Sequence, residues 1–171
     1  MRNAIVAVSV VVFVVVFSMG AVAAEEAPIP KEGSYSSLSA GSATSKVLPL
    51  GKDRVQMTWE AFGVQTGDDT KGLTHNASFR CIGSLRALNG DFESFTNACV
   101  FTRPDGDQMF WVESGTGRMG AASSGTGTIV GGTGKLAGIT GGGEWTRYVV
   151  RPAAEGTFQT VTRAKISYKL P

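Results

Sequence analysis

The sequence predicts an all-β fold, a small antiparallel barrel of eight strands, with a two-sheet β-sandwich as the alternative. From Arg54 onward apolar and polar residues alternate with a period of two, and no stretch of ten residues carries the 3.6-residue period of a helix. Turn signals cut this region into strand-sized pieces: Asn89-Gly90, Pro104-Asp105-Gly106 and the glycine clusters. About eight such strands without a helix between them favour closure, which removes the exposed edges of a flat sheet.

Residues 1–24 read as a signal peptide. Met1-Arg2-Asn3 carries one positive charge, an apolar run extends from Ala4 to Phe17, and Ala21/Ala23 or Val22/Ala24 are placed for cleavage before Glu25. About fourteen apolar residues fall short of the roughly 20 that span a bilayer. A secreted or periplasmic location is therefore expected. Cleavage removes Arg2, so Lys plus Arg falls from 16 to 15 against 14 Asp plus Glu, and the net charge from +2 to +1. Without a Lys/Arg cluster, neither nucleic acid nor, after cleavage, a membrane is expected as partner.

Residues 25–51 are rich in Pro, Ser, Ala and Gly without sustained periodicity. They read as a flexible N-terminal segment with room for a short strand around Tyr35–Leu38, ahead of a barrel domain at 52–171. In "RVQMTWEAF", Val55, Met57, Trp59 and Ala61 oppose Gln56, Thr58 and Glu60. Further strands are expected at 75–88, 92–103, 108–114, 125–130, 135–139 and 144–150. The last, "TFQTVTRAKISYKL", sets Phe158, Ala164, Ile166, Tyr168 and Leu170 against Gln159, Arg163, Lys165 and Lys169. Such alternation suits antiparallel strands with one face on a core.

The two cysteines, Cys81 and Cys99, define a register. If facing residue numbers sum to 180, Cys81 faces Cys99, Phe79 faces Phe101 and Leu85 faces Phe95, across a three-residue loop, Asn89-Gly90-Asp91. One choice pairs the thiols and matches the large apolar residues, so a disulfide is expected. Two thiols without neighbouring ligands do not make a metal site, and no cofactor is expected.

"GGTGKLAGITGGG", residues 131–143, holds seven glycines and a lysine. A P-loop would need glycine at Ile129 and a hydroxyl at Leu136, followed by a helix, and it fails on each count. "GTGRMG" at 115–120 matches G-x-G-x-x-G only formally, because strand and turn surround it rather than a βαβ unit. The glycines instead suit bends and close approaches in a barrel wall. The string "IVGGTGKLAGITGGGEW", with Gly131, Gly132, Thr133, Gly134, Lys135, Leu136, Gly138, Thr140 and Gly141 as its matching residues, resembles the allene oxide cyclase and dirigent family. The likeness is specific over about twenty residues and architectural over 54–171. It implies an eight-stranded barrel with a hydrophobic pocket, often trimeric, whose members cyclise an unstable fatty-acid epoxide or direct the coupling of phenoxy radicals. No catalytic residue is carried over.

The candidate ligand-binding residues are Trp59, His75, Asn97, Trp111, Glu113 and Tyr168. His75, the single histidine, shares the face of Phe79 and Cys81 in the hairpin register and could sit at the barrel mouth; a rim or solvent position is the plainer reading. A three-residue turn at Pro104-Asp105-Gly106 sets Cys99 opposite Trp111 and Asn97 opposite Glu113, whereas a four-residue loop would turn Phe110 and Val112 inward. An inward Glu113 would be a candidate proton donor or ligand contact; a rim carboxylate paired with Arg or Lys is the competing expectation. The tryptophans and Tyr168 are core residues or an aromatic lining for an apolar ligand. Three functions remain: a barrel binding a small hydrophobic ligand, an isomerase or cyclase of the allene oxide cyclase type, and a packed structural or interaction barrel. A continuous cavity with an inward Glu or His would favour the second. An interior filled by Trp59, Phe79, Trp111 and Tyr168 would favour the third.

Overall fold

The computed structural model describes residues 28–67, 72–152, 155 and 157–171, so the expected signal peptide at 1–24 lies outside the described residues. Eight strands follow one another around a closed antiparallel barrel: β1 (Glu32–Pro49), β2 (Arg54–Gly67), β3 (Ala77–Leu88), β4 (Asp91–Thr102), β5 (Gln108–Gly117), β6 (Ser123–Gly132), β7 (Thr140–Val150) and β8 (Thr157–Lys169). Each pairs with its neighbours in sequence, and β1 closes the wall on β8. Alternation sets the two faces. On β3, Ala77, Cys81, Leu85 and Ala87 are buried while Arg80, Ile82 and Arg86 face outward. Burying one large apolar side chain in this way contributes about 1.5–3 kcal/mol.

The hairpin of β3 and β4 has the expected partners, Cys81 with Cys99, Phe79 with Phe101 and Leu85 with Phe95, and the cysteines are disulfide-bonded. Its turn differs from expectation. A bulge between Arg86 and Ala87 shifts the register, so Leu88 faces Asp91 across only Asn89 and Gly90. Both adopt positive φ, 52° and 88°, the backbone that a two-residue hairpin turn of matching twist requires. Between β4 and β5 the three-residue turn holds, with Asn97 opposite Glu113 and Cys99 opposite Trp111.

Two strand assignments change. Within the segment at 25–51 expected to be flexible, Glu32–Pro49 forms β1, which pairs with both β2 and β8 and extends the short strand expected around Tyr35–Leu38. Its inward face carries Ser37, Ser39, Gly41 and Ala43, too small to give a hydropathic alternation. The small residues have a reason: a side chain at Gly41 or at its partner Gly63 would come within 2.6 Å of the Phe79 ring. Residues 135–139 are not a strand. Gly134–Leu136 forms a 3₁₀ turn that opens on Gly134 at φ 53° and is followed by Gly138 at φ 76°. The turn drives Leu136 and Ile139 into the interior, 0% and 2% exposed. The strand total of eight holds because one strand replaces another.

The two ends of the barrel differ. At the end formed by connections 72–76, 103–107 and 133–139, Leu73, Thr74, Met109, Leu136 and Ile139 make a fully buried plug. Arg103, also buried, donates from Nη1 to the Leu73 carbonyl at 2.6 Å and pairs with Asp105 at 3.2 Å. Lys135 donates from Nζ to Asp105 and from its backbone N–H to Asp107, each at 2.8 Å. The lysine of the glycine-rich stretch thus ties two closing loops together. Among the described residues the opposite end, with the turn at 118–122, is open.

Candidate functional site

A cavity of about 260 Å³ runs from the open end, beside Arg118, Met119 and Ala121, down to Ser39 and Gln65. Its wall is mostly aromatic and aliphatic because inward positions on every strand meet there. Glycines set where the rings lie. Trp59 lies across Gly83, Trp111 across Gly127, and Trp145 across Gly115 and Gly125, and a Cβ at any of these would fall within 2.7 Å of a ring atom. Rings on glycine flatten against the wall and leave the axis open. Phe95 packs between Trp59, on which it stacks, and Trp145, to which it is tilted, with centroids 5.4 Å apart at each step.

The floor is polar. Ser39 Oγ donates to Gln65 Oε1 at 2.7 Å, Gln65 Nε2 donates to Thr74 Oγ1, and Thr74 Oγ1 donates to the Tyr35 hydroxyl at 3.2 Å. Burial pushes the Tyr35 phenol up to about 12, so it stays protonated.

Midway up the wall sits a charged pair. Glu113, 8% exposed, accepts at Oε1 from Arg147 Nη2 at 2.6 Å and from Asn97 Nδ2 at 3.0 Å, and at Oε2 from Trp111 Nε1 at 2.9 Å. Arg147 donates from Nε to Thr162 Oγ1 at 3.0 Å, and its guanidinium lies 4.8 Å from the Trp145 ring centroid. Asn97 also donates to Cys99 Sγ at 3.3 Å, while its Oδ1 packs on Gly83 with no partner among the described residues.

Of the six candidate residues, Trp59, Asn97, Trp111 and Glu113 line the cavity together. His75 and Tyr168 do not. His75 precedes β3, in the turn at the plugged end, where its Nδ1 accepts from the Gly67 N–H at 3.4 Å. Asn76, at φ 55°, breaks the strand register that would have carried His75 inward. Tyr168 is half-buried edge-on to Tyr35, 6.2 Å between centroids, below the cavity. Glu113 is not a rim carboxylate, although the arginine partner expected for one is present inside. Arg147 escaped sequence reasoning because "EWTRYVV" carries polar and apolar residues on both faces, and a charged inward position breaks the hydropathic pattern. The signal that was available is its spacing, two residues beyond Trp145 on one strand.

Among the described residues no group of three His, Cys, Asp or Glu could hold a metal ion, and no helix is long and apolar enough to cross a membrane. The chain matches no family model and no curated protein.

Proposed function

We propose that the protein is a secreted or periplasmic barrel that binds a small, largely apolar molecule inside. The cavity carries this reading: about 260 Å³ left open among aromatic walls, with a few polar groups converging at one level. Its rim supports it, since Met119 and Val149 are exposed at the mouth and lower the barrier to an apolar guest. The Cys81–Cys99 bridge fits an oxidising compartment, as does the signal peptide expected at 1–24.

The inward Glu113 supports a second reading, an isomerase or cyclase of the allene oxide cyclase type acting in the same cavity. A packed interaction barrel finds less support, because Trp59, Phe79 and Trp111 lie against the wall instead of filling the axis. Native mass spectrometry of protein purified from a periplasmic extract, with titration of the neutral fluorophore N-phenyl-1-naphthylamine, tests ligand binding. A retained small-molecule adduct, or saturable fluorophore binding that apolar compounds displace, is expected. A clean protein mass with no fluorophore binding would remove the ligand-binding reading.

A further inference from the structure

We propose that Arg147 selects a neutral oxygen acceptor, so that the guest of this cavity is an apolar molecule carrying one carbonyl-type oxygen. This rests on the ligand-binding reading and names the chemistry of that ligand.

Three observations converge. First, the guanidinium is held rigidly before any ligand arrives. Nε is engaged by Thr162 at 3.0 Å, Nη2 by Glu113 at 2.6 Å, and the plane rests beside Trp145 and Phe95 at 4.8 and 5.6 Å. Second, its Nη1 has no partner among the described residues, although Arg147 lines the cavity and its side chain keeps 15% of its exposure. What faces the cavity at this level is therefore a pair of oriented N–H donors.

Third, the strongest acceptor beside those donors, the Glu113 carboxylate, is already occupied. Glu113 accepts from three donors and its side chain is 4% exposed, Thr162 Oγ1 accepts from Arg147, and Asn97 Oδ1 is buried against Gly83. The hydroxyls of Ser123, the cross-strand partner of Arg147, and of Thr160 also line the cavity, so the preference rests on the charged donor, against which a neutral hydroxyl is the weaker partner.

Charge decides which acceptor. Glu113 already neutralises Arg147, so a carboxylate would bring an uncompensated negative charge among aromatic walls. The other cation in the lining, Arg118, is at the mouth and pairs with Asp91 at 2.8 Å. A ketone or aldehyde oxygen meets the donors without adding charge, and a hydrogen bond from a charged donor in a dry site is of the stronger kind.

The test uses three guests of one length, 2-octanone, n-octane and octanoate, with affinity read from tryptophan fluorescence at pH 7. We expect 2-octanone to bind at least tenfold tighter than n-octane and tighter than octanoate. In the double variant Arg147→Met/Glu113→Gln, which removes both charges together, ketone and alkane should bind alike. Equal binding of ketone and alkane by the wild type would overturn the proposal while leaving ligand binding intact. So would tighter binding of octanoate, or a ketone preference that survives in the double variant. Failure of all three guests to bind would instead remove the ligand-binding reading beneath it.

Discussion

At the scale of single residues, the Glu113–Arg147 pair makes each partner costly to remove alone. Each charge is tolerated only because the other is present, at 2.6 Å, with Asn97 and Trp111 filling the remaining positions on the carboxylate. Arg147→Met leaves a buried carboxylate without its cation and should lower the unfolding free energy by about 3–5 kcal/mol. Adding Glu113→Gln should recover most of that loss, as a neutral amide still accepts from Trp111. A double-mutant cycle by urea denaturation measures the coupling, and additive losses would show that the pair does not act as a unit. Asp105 gives a second residue-scale prediction. Lys135, and after it Arg103, hold its carboxyl well below the usual carboxylate range. A depressed folded-state pKa means stability present above the unfolded value and lost as pH falls toward the folded one. Asp105→Asn should therefore cost about 1–2 kcal/mol at pH 7, discounted for partial exposure, and the gap to wild type should narrow below about pH 4. Melting curves across pH decide it; a gap that stays constant into acid would exclude the charge as its source. The inward place of Glu113 follows from the three-residue reading of the turn at Pro104, because one loop length sets every pairing on β4 and β5, although the sequence also left open a four-residue loop and a rim carboxylate. Its partner was not, since nothing local marks an inward arginine.

At the scale of elements, legibility followed the size of the inward side chains. The hairpin of β3 and β4 could be registered residue by residue because Phe79, Cys81 and Leu85 meet matching partners. β1 could not, because its inward face is small where it accommodates the ring of Phe79 from β3. The glycines likewise mark a barrel wall in general, yet which ring rests on which glycine depends on strand tilt. Trp111 is paired with Ile129 but its ring lies over Gly127, two residues away. A methyl group at Gly127 would meet that ring at 1.9 Å. Gly127→Ala should therefore push Trp111 off the wall into the cavity, at a cost of about 1–3 kcal/mol from overpacking. Loss of stability in urea together with weakened N-phenyl-1-naphthylamine binding is the expected pair of results. A stable variant with undiminished binding would mean that the ring has another resting place.

At the scale of the whole molecule, the barrel has a direction. One end is stopped by Leu73, Met109, Leu136 and Ile139 and locked by Arg103, Asp105 and Lys135, while the other opens beside Met119 and Ala121. With one mouth among the described residues, ligand entry and exit share one route. Obstruction there should slow association and dissociation together and leave affinity nearly unchanged, because the site deeper inside is untouched. Ala121→Trp places a large ring at the mouth, and Ala137→Trp places the same ring on the exposed outside of the plugged end. Stopped-flow fluorescence with N-phenyl-1-naphthylamine should show both rates several-fold slower in Ala121→Trp and close to wild type in Ala137→Trp. Equal slowing in the two variants would mean that the plug opens, and that the buried cluster at 72–76 and 133–139 is a second door. Unchanged rates in both would place entry through the wall between strands, which the continuous pairing from β1 round to β8 opposes.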